Sequence, residues 1–201
     1  MDWKDIKPLK ETETRTIVKE YFSNHGFSVL EINPKNLPQA KKSPDFVIKK
    51  GGDIKGYCEV KTPAHILNPI THLYHWDTTF YKLRKFLHKA RKQFSDYDPN
   101  HKKPWIVVFT SNHPQLNWKS FADNVIGAIV FNGKILKDFR NKNFITESNK
   151  DLISIDLIIW LQVNYIDRRK VYQVRFFVNN DGSLIDEVKI LLDELESESK
   201  I

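Results

Sequence analysis

A chain of 201 residues is long enough for one well-buried core, or at most two small ones, so a single domain over 1–201 is the starting expectation. A composition of 40% hydrophobic, 12% aromatic and 28% charged residues is that of an ordinary globular protein and excludes disorder of the whole chain. The 32 Lys and Arg against 25 Asp and Glu leave a net charge of +7, which favours encounter with polyanions such as nucleic acid but decides nothing until the charges are placed.

The first predicted element is a helix from about Glu11 to His25, where Ile17, Val18, Tyr21 and Phe22 form one apolar arc and Gly26 supplies a stop. Phe27 to Ile32 reads as a short strand closed by Asn33-Pro34, and Lys35 to Ser43 as a polar, basic loop. Two more strands follow, Asp45 to Lys49 and about Ile54 to Lys61, joined at Gly51-Gly52-Asp53. Thr62 to Asp77 lacks periodicity and reads as a structured loop. The clearest helix runs from Thr78 to about Tyr97, with Leu83, Leu87, Ala90, Phe94 and Tyr97 on one stripe and Asp98-Pro99 as its end.

Beyond it, Trp105 to Thr110 is a buried strand, Leu116 to Asn124 a short helix, and Val125 to Phe131 an apolar strand that turns at Asn132-Gly133. A second hairpin pairs Ile153 to Asn164 with Val171 to Val178, and Ser183 to about Glu198 closes the chain as a helix with a leucine-rich stripe. The order is that of an α/β protein. The one cysteine, Cys58, lies in an apolar run where a thiol acts as a small hydrophobe, so a reducing, cytoplasmic setting is expected. No apolar run approaches the length that crosses a bilayer, and no membrane partner is expected.

The chemistry concentrates at Pro44-Asp45-Phe46 and, fourteen residues after Asp45, at Glu59-Val60-Lys61. Side chains two apart on a strand share a face, so Glu59 and Lys61 project together while Val60 turns away, and a hairpin brings Asp45 beside them. Two carboxylates that converge repel each other unless a cation lies between them, and hard oxygen donors select Mg²⁺ or Mn²⁺. A neighbouring ammonium suits such a site to phosphodiester hydrolysis. The bland alternative has Asp45 capping a turn and Glu59 and Lys61 forming an exposed pair on an edge strand.

Over about the first 110 residues, these motifs and their order resemble the PD-(D/E)XK nuclease superfamily, which includes restriction endonucleases, Holliday-junction resolvases and RecB-type nucleases. The resemblance implies a restriction endonuclease-like core over about 11–131, a central mixed β-sheet flanked by helices; the residues after Val130 carry no such resemblance, and the hairpin and helix read there are expected as a C-terminal elaboration over about 132–201. It implies Asp45 and Glu59 as metal ligands, the Val60 carbonyl as a further one, and Lys61 as the group that orients or deprotonates the attacking water. A glutamate on the first helix completes the family pattern, and Glu13, at the edge of the apolar arc, is the expectation, with Glu20 a near rival and Glu11 more distant.

Lys82, Lys85, Lys89 and Lys92 line one stripe of the long helix and Arg84 and Arg91 another; such a surface can track a phosphate backbone, although packed helices commonly expose lysines. Gln93 borders the apolar stripe, and Gln93 or Lys89 is expected near the scissile phosphate, as many relatives place a glutamine or lysine there. Lys41 and Lys42, just ahead of Pro44, are placed to touch phosphate. His65, His72 and His75 fit no structural-zinc spacing; with Tyr74 and Trp76 they are better read as loop residues packing over the cleft or stacking on bases. The leading expectation is a metal-dependent phosphodiesterase, an endonuclease before an exonuclease, acting on DNA rather than RNA. A non-catalytic nucleic-acid-binding or assembly module and an RNA-directed nuclease are the alternatives. An exposed leucine stripe on the last helix would favour a homodimer, but core packing is the stronger expectation.

Overall fold

The computed structural model describes residues 7–33, 35, 42–63, 76–122, 125, 128–131, 134–138, 147–166 and 169–197. Helix α1, Glu11–Asn24, seats Thr14, Ile17, Val18, Tyr21 and Phe22 against the sheet and stops at Gly26, whose φ of 73° suits a residue without a Cβ. Strands β1 (Ser28–Glu31), β2 (Phe46–Lys50) and β3 (Asp53–Lys61) form an antiparallel meander. Between the paired Lys50 and Asp53, Gly51 and Gly52 both take positive φ, 59° and 92°, the conformation that a tight two-residue hairpin turn demands.

From β3 the chain passes through helix α2, Trp76–Tyr97, to β4, Trp105–Ser111, which lies parallel to β3. The helix expected over 116–124 shortens to α3, Trp118–Phe121, started by Asn117, whose side chain accepts the backbone N–H groups of Lys119 and Ser120 at 3.0 and 3.1 Å. Strand β5, Ala128–Phe131, does not join the main sheet but pairs with β6, Lys134–Asp138. Helix α4, Glu147–Ser154, leads into β7 (Leu157–Ile166), β8 (Arg169–Val178) and helix α5 (Ile185–Ser197).

The main sheet has the order β1-β2-β3-β4-β7-β8, and β4 and β7 are parallel. The C-terminal hairpin is therefore no addition to a core that ends near 131. Strand β7 is a central strand, buried without a break from Leu157 to Val163, and its continuous apolar run reflects covering on both faces. Alternation along β4 divides the interior. Ile106 and Val108 join Ile17, Phe22, Phe46 and Cys58 beneath α1, while Val107 and Phe109 join Leu83, Leu87, Phe94 and Trp160 beneath α2. The final helix buries Val188, Leu191 and Leu195 in the α1 layer, so the stripe that exposure would have offered to a second copy belongs to the core.

At the end of the sheet where β4 starts, Asp156 accepts the Trp105 backbone N–H at 2.8 Å and lies 2.6 Å from His101 Nε2, tying the approach to β7 to that of β4. Gly56 sits close by. A Cβ there would meet Ile106 Cδ1 at 2.7 Å and the Pro104 carbonyl oxygen at 2.9 Å. Gly56→Ala should lower stability by about 1–3 kcal/mol, seen as a lower denaturation midpoint at unchanged m-value. An unchanged midpoint would contradict this packing. Among the described residues no helix is long and apolar enough to cross a membrane.

Candidate active site

The register of the β2–β3 pair builds the site. Phe46 faces Cys58, so Asp45, one step before β2, lies at the carboxyl end of β3. Its backbone N–H donates to the Cys58 carbonyl at 3.0 Å, and the Val60 N–H donates to its Oδ2 at 2.8 Å. Both bonds fix the carboxylate against the strand that carries its partners. Cys58 and Val60 pack toward the α1 layer, whereas Tyr57 packs in the α2 layer, and the same alternation sends Glu59 and Lys61 toward α2. Cys58 itself is buried, and burial pushes its thiol well up, followed by the nearby Asp45 and Glu59 charges. It is a small hydrophobe here.

Glu59 is only 2% exposed. Its Oε1 is bonded to Lys61 Nζ, while its buried Oε2 accepts no hydrogen bond of good geometry from any described residue. Burial pushes the Glu59 carboxyl up to about 7; the Lys61 ammonium pulls down against this, the Asp45 charge adds to the rise, and the side-chain contacts of Lys61 and Gln93 with the carboxylate also pull it down. Lys61 also lies 3.4 Å from Gln93 Oε1, and Gln93 Nε2 donates to the Ser43 carbonyl at 2.9 Å. Gln93 thereby ties α2 to the segment that delivers Pro44-Asp45. Gln93 lines the same cavity as Asp45, Glu59 and Lys61.

The first helix supplies a different glutamate from the one expected. Thr62 donates to Thr14 at 2.9 Å and seats α1 over the end of β3. With its buried stripe so placed, the turn of about 100° per residue puts positions 13 and 20 on one flank and positions 11 and 15 toward the other. Glu13 accepts a 3.4 Å hydrogen bond from the Tyr165 hydroxyl of β7, and Glu20 one of 3.5 Å from Tyr172 of β8, so neither is brought to Asp45. Glu11 lines a cavity of about 530 Å³ together with Asp45, Glu59, Lys61 and Gln93. Distance along the chain misled, because a step of two residues, about half a helical turn, reverses which flank a residue occupies.

Sequence reasoning also missed Arg15. Its guanidinium is bonded to Asp45 Oδ1, lies 4.0 Å from a Glu31 oxygen and sits 4.7 Å above the Phe46 ring. The signal was its position four residues after Glu11, on the same flank. Arg15 and Lys42 line a second cavity of about 580 Å³ that shares Asp45 and Gln93 with the first. Lys89 is exposed one turn before Gln93, whereas Arg91, read as part of a basic stripe, is turned to Asp151 of α4 at 2.5 Å, with His88 3.2 Å from the same carboxylate. Lys41, His65, His72, Tyr74 and His75 lie outside the described residues, as does the side chain of Trp76.

The donor set fits a hard divalent cation. Among the described residues no three of His, Cys, Asp and Glu gather into a ready-made metal cluster. Mg²⁺ asks for less: one or two carboxylates with several retained waters suffice. Asp45, Glu59 Oε2 and the Val60 carbonyl at the carboxyl end of β3 are the groups that could serve as such donors. Compared with family models, curated proteins and solved structures, the chain matches none, so the reading of the site rests on its own residues.

Proposed function

We propose that this protein is a metal-dependent nuclease of the PD-(D/E)XK kind, hydrolysing nucleic-acid phosphodiesters, DNA before RNA, with Mg²⁺ or Mn²⁺ as cofactor. The observation that carries the reading is a buried carboxylate oxygen of Glu59 that accepts no hydrogen bond of good geometry from any described residue, beside a second carboxylate and an ammonium in an open cavity. A buried acceptor left unpaired is costly, and a cation is the partner that would offset the cost. The order α1, β1, β2, β3, α2, β4 supports the reading further, since the two motifs fall where a hairpin brings them together.

A divalent cation held by Asp45, Glu59 and the Val60 carbonyl supplies Lewis-acid polarisation of a phosphoryl oxygen and a more acidic water. The chain's own residues do the rest. Lys61 Nζ, held between Glu59 and Gln93, orients the attacking water and stabilises the charge that develops on the phosphoryl oxygens. Gln93 keeps the Pro44-Asp45 segment in register with α2. Glu11, at the rim of the same cavity, is placed to hold a further water.

A non-catalytic nucleic-acid-binding module is the second reading, favoured by one observation: Arg15 and Lys61 already neutralise both carboxylates. Incubation of labelled single-stranded, duplex and branched DNA, and of RNA, with Mg²⁺, Mn²⁺ or EDTA separates the two. The nuclease reading expects cleavage that EDTA abolishes; binding indifferent to EDTA, with no cleavage of any substrate, sinks it in favour of the module.

A further inference from the structure

We propose that the second cavity, which Asp45 lines and Glu59 does not, is a phosphate subsite for the nucleic-acid chain, and that Arg15 is its recognition residue, freed for that task when a divalent cation takes Asp45. The inference rests on the nuclease reading and deepens it.

The charges explain the coupling. In the cavity Arg15 and Lys42 face Asp45 and Glu31, two cations against two anions. Arg15 holds Asp45 and reaches toward Glu31, but Glu31 has another partner, Lys19 Nζ, 2.5 Å from its Oε1, and the Lys19 contact pulls its carboxyl down. A cation on Asp45 removes the principal partner of Arg15, while Glu31 stays neutralised by Lys19. The cavity then changes from balanced to positive. What is left is a guanidinium fork braced over the Phe46 ring, with the Lys42 ammonium at the same cavity and the Asn33 and Ser43 side chains beside them. A planar fork with a nearby ammonium matches the oxygens of a phosphate. Because the two cavities share Asp45 and Gln93, that phosphate would belong to the same strand as the scissile one, either the next phosphodiester or a terminal phosphate.

In the metal-free protein Arg15 competes with the cation for Asp45, which gives a test that does not depend on turnover. Calorimetric titration of the full chain with Mg²⁺ alone should show Arg15→Gln binding the ion roughly fivefold more tightly than the parent. Anisotropy of a short fluorescein-labelled oligodeoxynucleotide, in a Lys61→Ala background that prevents cleavage, should show affinity gained on adding Mg²⁺. Arg15→Gln should lose about tenfold of that gain, Arg15→Lys less, and exposed Lys42→Ala should lower it without altering Mg²⁺ affinity. The salt slope should fall by about one for each cation removed. Paired oligonucleotides with a 5′-hydroxyl or a 5′-phosphate identify the source: a loss confined to the latter assigns a terminal phosphate, an equal loss an internal one. An Arg15→Gln protein with weakened or unchanged Mg²⁺ affinity, or with the full Mg²⁺-dependent gain, overturns the inference. If the parent cleaves with Mg²⁺ while Arg15→Gln behaves so, only the subsite falls; if the parent shows neither Mg²⁺ binding nor cleavage, the nuclease reading falls and the subsite with it.

Discussion

Asp45→Asn and Lys61→Ala should each lower metal-dependent cleavage by at least about 10³-fold, for separable reasons. The asparagine keeps the size of Asp45 and an acceptor for the Val60 N–H, so the hairpin end should hold, but it removes the charge that draws a cation. Its loss should appear as Mg²⁺ affinity reduced beyond the titratable range. Lys61→Ala leaves both carboxylates in place and takes away the ammonium that the proposed mechanism sets beside the reacting phosphate. Its loss should fall on kcat, with Mg²⁺ affinity held or raised because the ion no longer competes with an ammonium for Glu59. Far-UV circular dichroism and thermal unfolding should show both variants folded. Cleavage at the parent rate by either variant would remove that residue from the mechanism, and by both would remove the mechanism.

A second large effect concerns stability and its dependence on pH. The Glu59 carboxyl is raised from 4.5 to about 7 by burial, against the pull of Lys61. A raised carboxyl means that the folded state binds more protons than the unfolded state between those values, so its contribution is fully present below about pH 4.5 and is lost as pH climbs through 7. Glu59→Gln fixes the uncharged form. Without divalent ions it should therefore match the parent near pH 4.5 and exceed it at pH 8, by about 3 kcal/mol at most from a shift of that size. Mg²⁺ should reverse the order at pH 8, since it stabilises only the protein that retains the ligand. Urea midpoints of both proteins at the two pH values, with Mg²⁺ or with EDTA, give the answer. A Gln variant less stable than the parent at pH 8 in EDTA would show that ionised Glu59 is at ease in its pocket and would remove the strongest argument for a cation there.

These effects separate what each kind of information contributes. The Gly51-Gly52 turn, the alternation around Glu59-Val60-Lys61 and the stripe through Leu83, Leu87, Ala90 and Phe94 are local matters of backbone conformation and period, and the chain displays them openly. The convergence of Asp45 with Glu59 and Lys61 was legible for the same reason, because one hairpin suffices to produce it. Gln93 was within reach of sequence reasoning too, since its position at the border of a buried stripe fixes the direction in which it points.

What the sequence could not decide depended on partners far along the chain. Whether 132–201 adds to a core or completes it turned on β7 pairing in parallel with β4, a contact between strands roughly fifty residues apart that periodicity does not encode. The choice among Glu11, Glu13 and Glu20 turned on which way α1 is rolled over the sheet, set by the burial of five side chains at once. Tyr165 of β7 and Tyr172 of β8 hold Glu13 and Glu20, the two glutamates that do not reach the cavity. Arg15 was hidden because its partner Asp45 stands thirty residues away and only the packed helix brings it there. The sequence by itself determined that Asp45, Glu59 and Lys61 meet on one hairpin, through strand period and turn geometry; the tertiary structure alone decided which helix residues face them, because the roll of a helix is fixed by the whole of the core it covers.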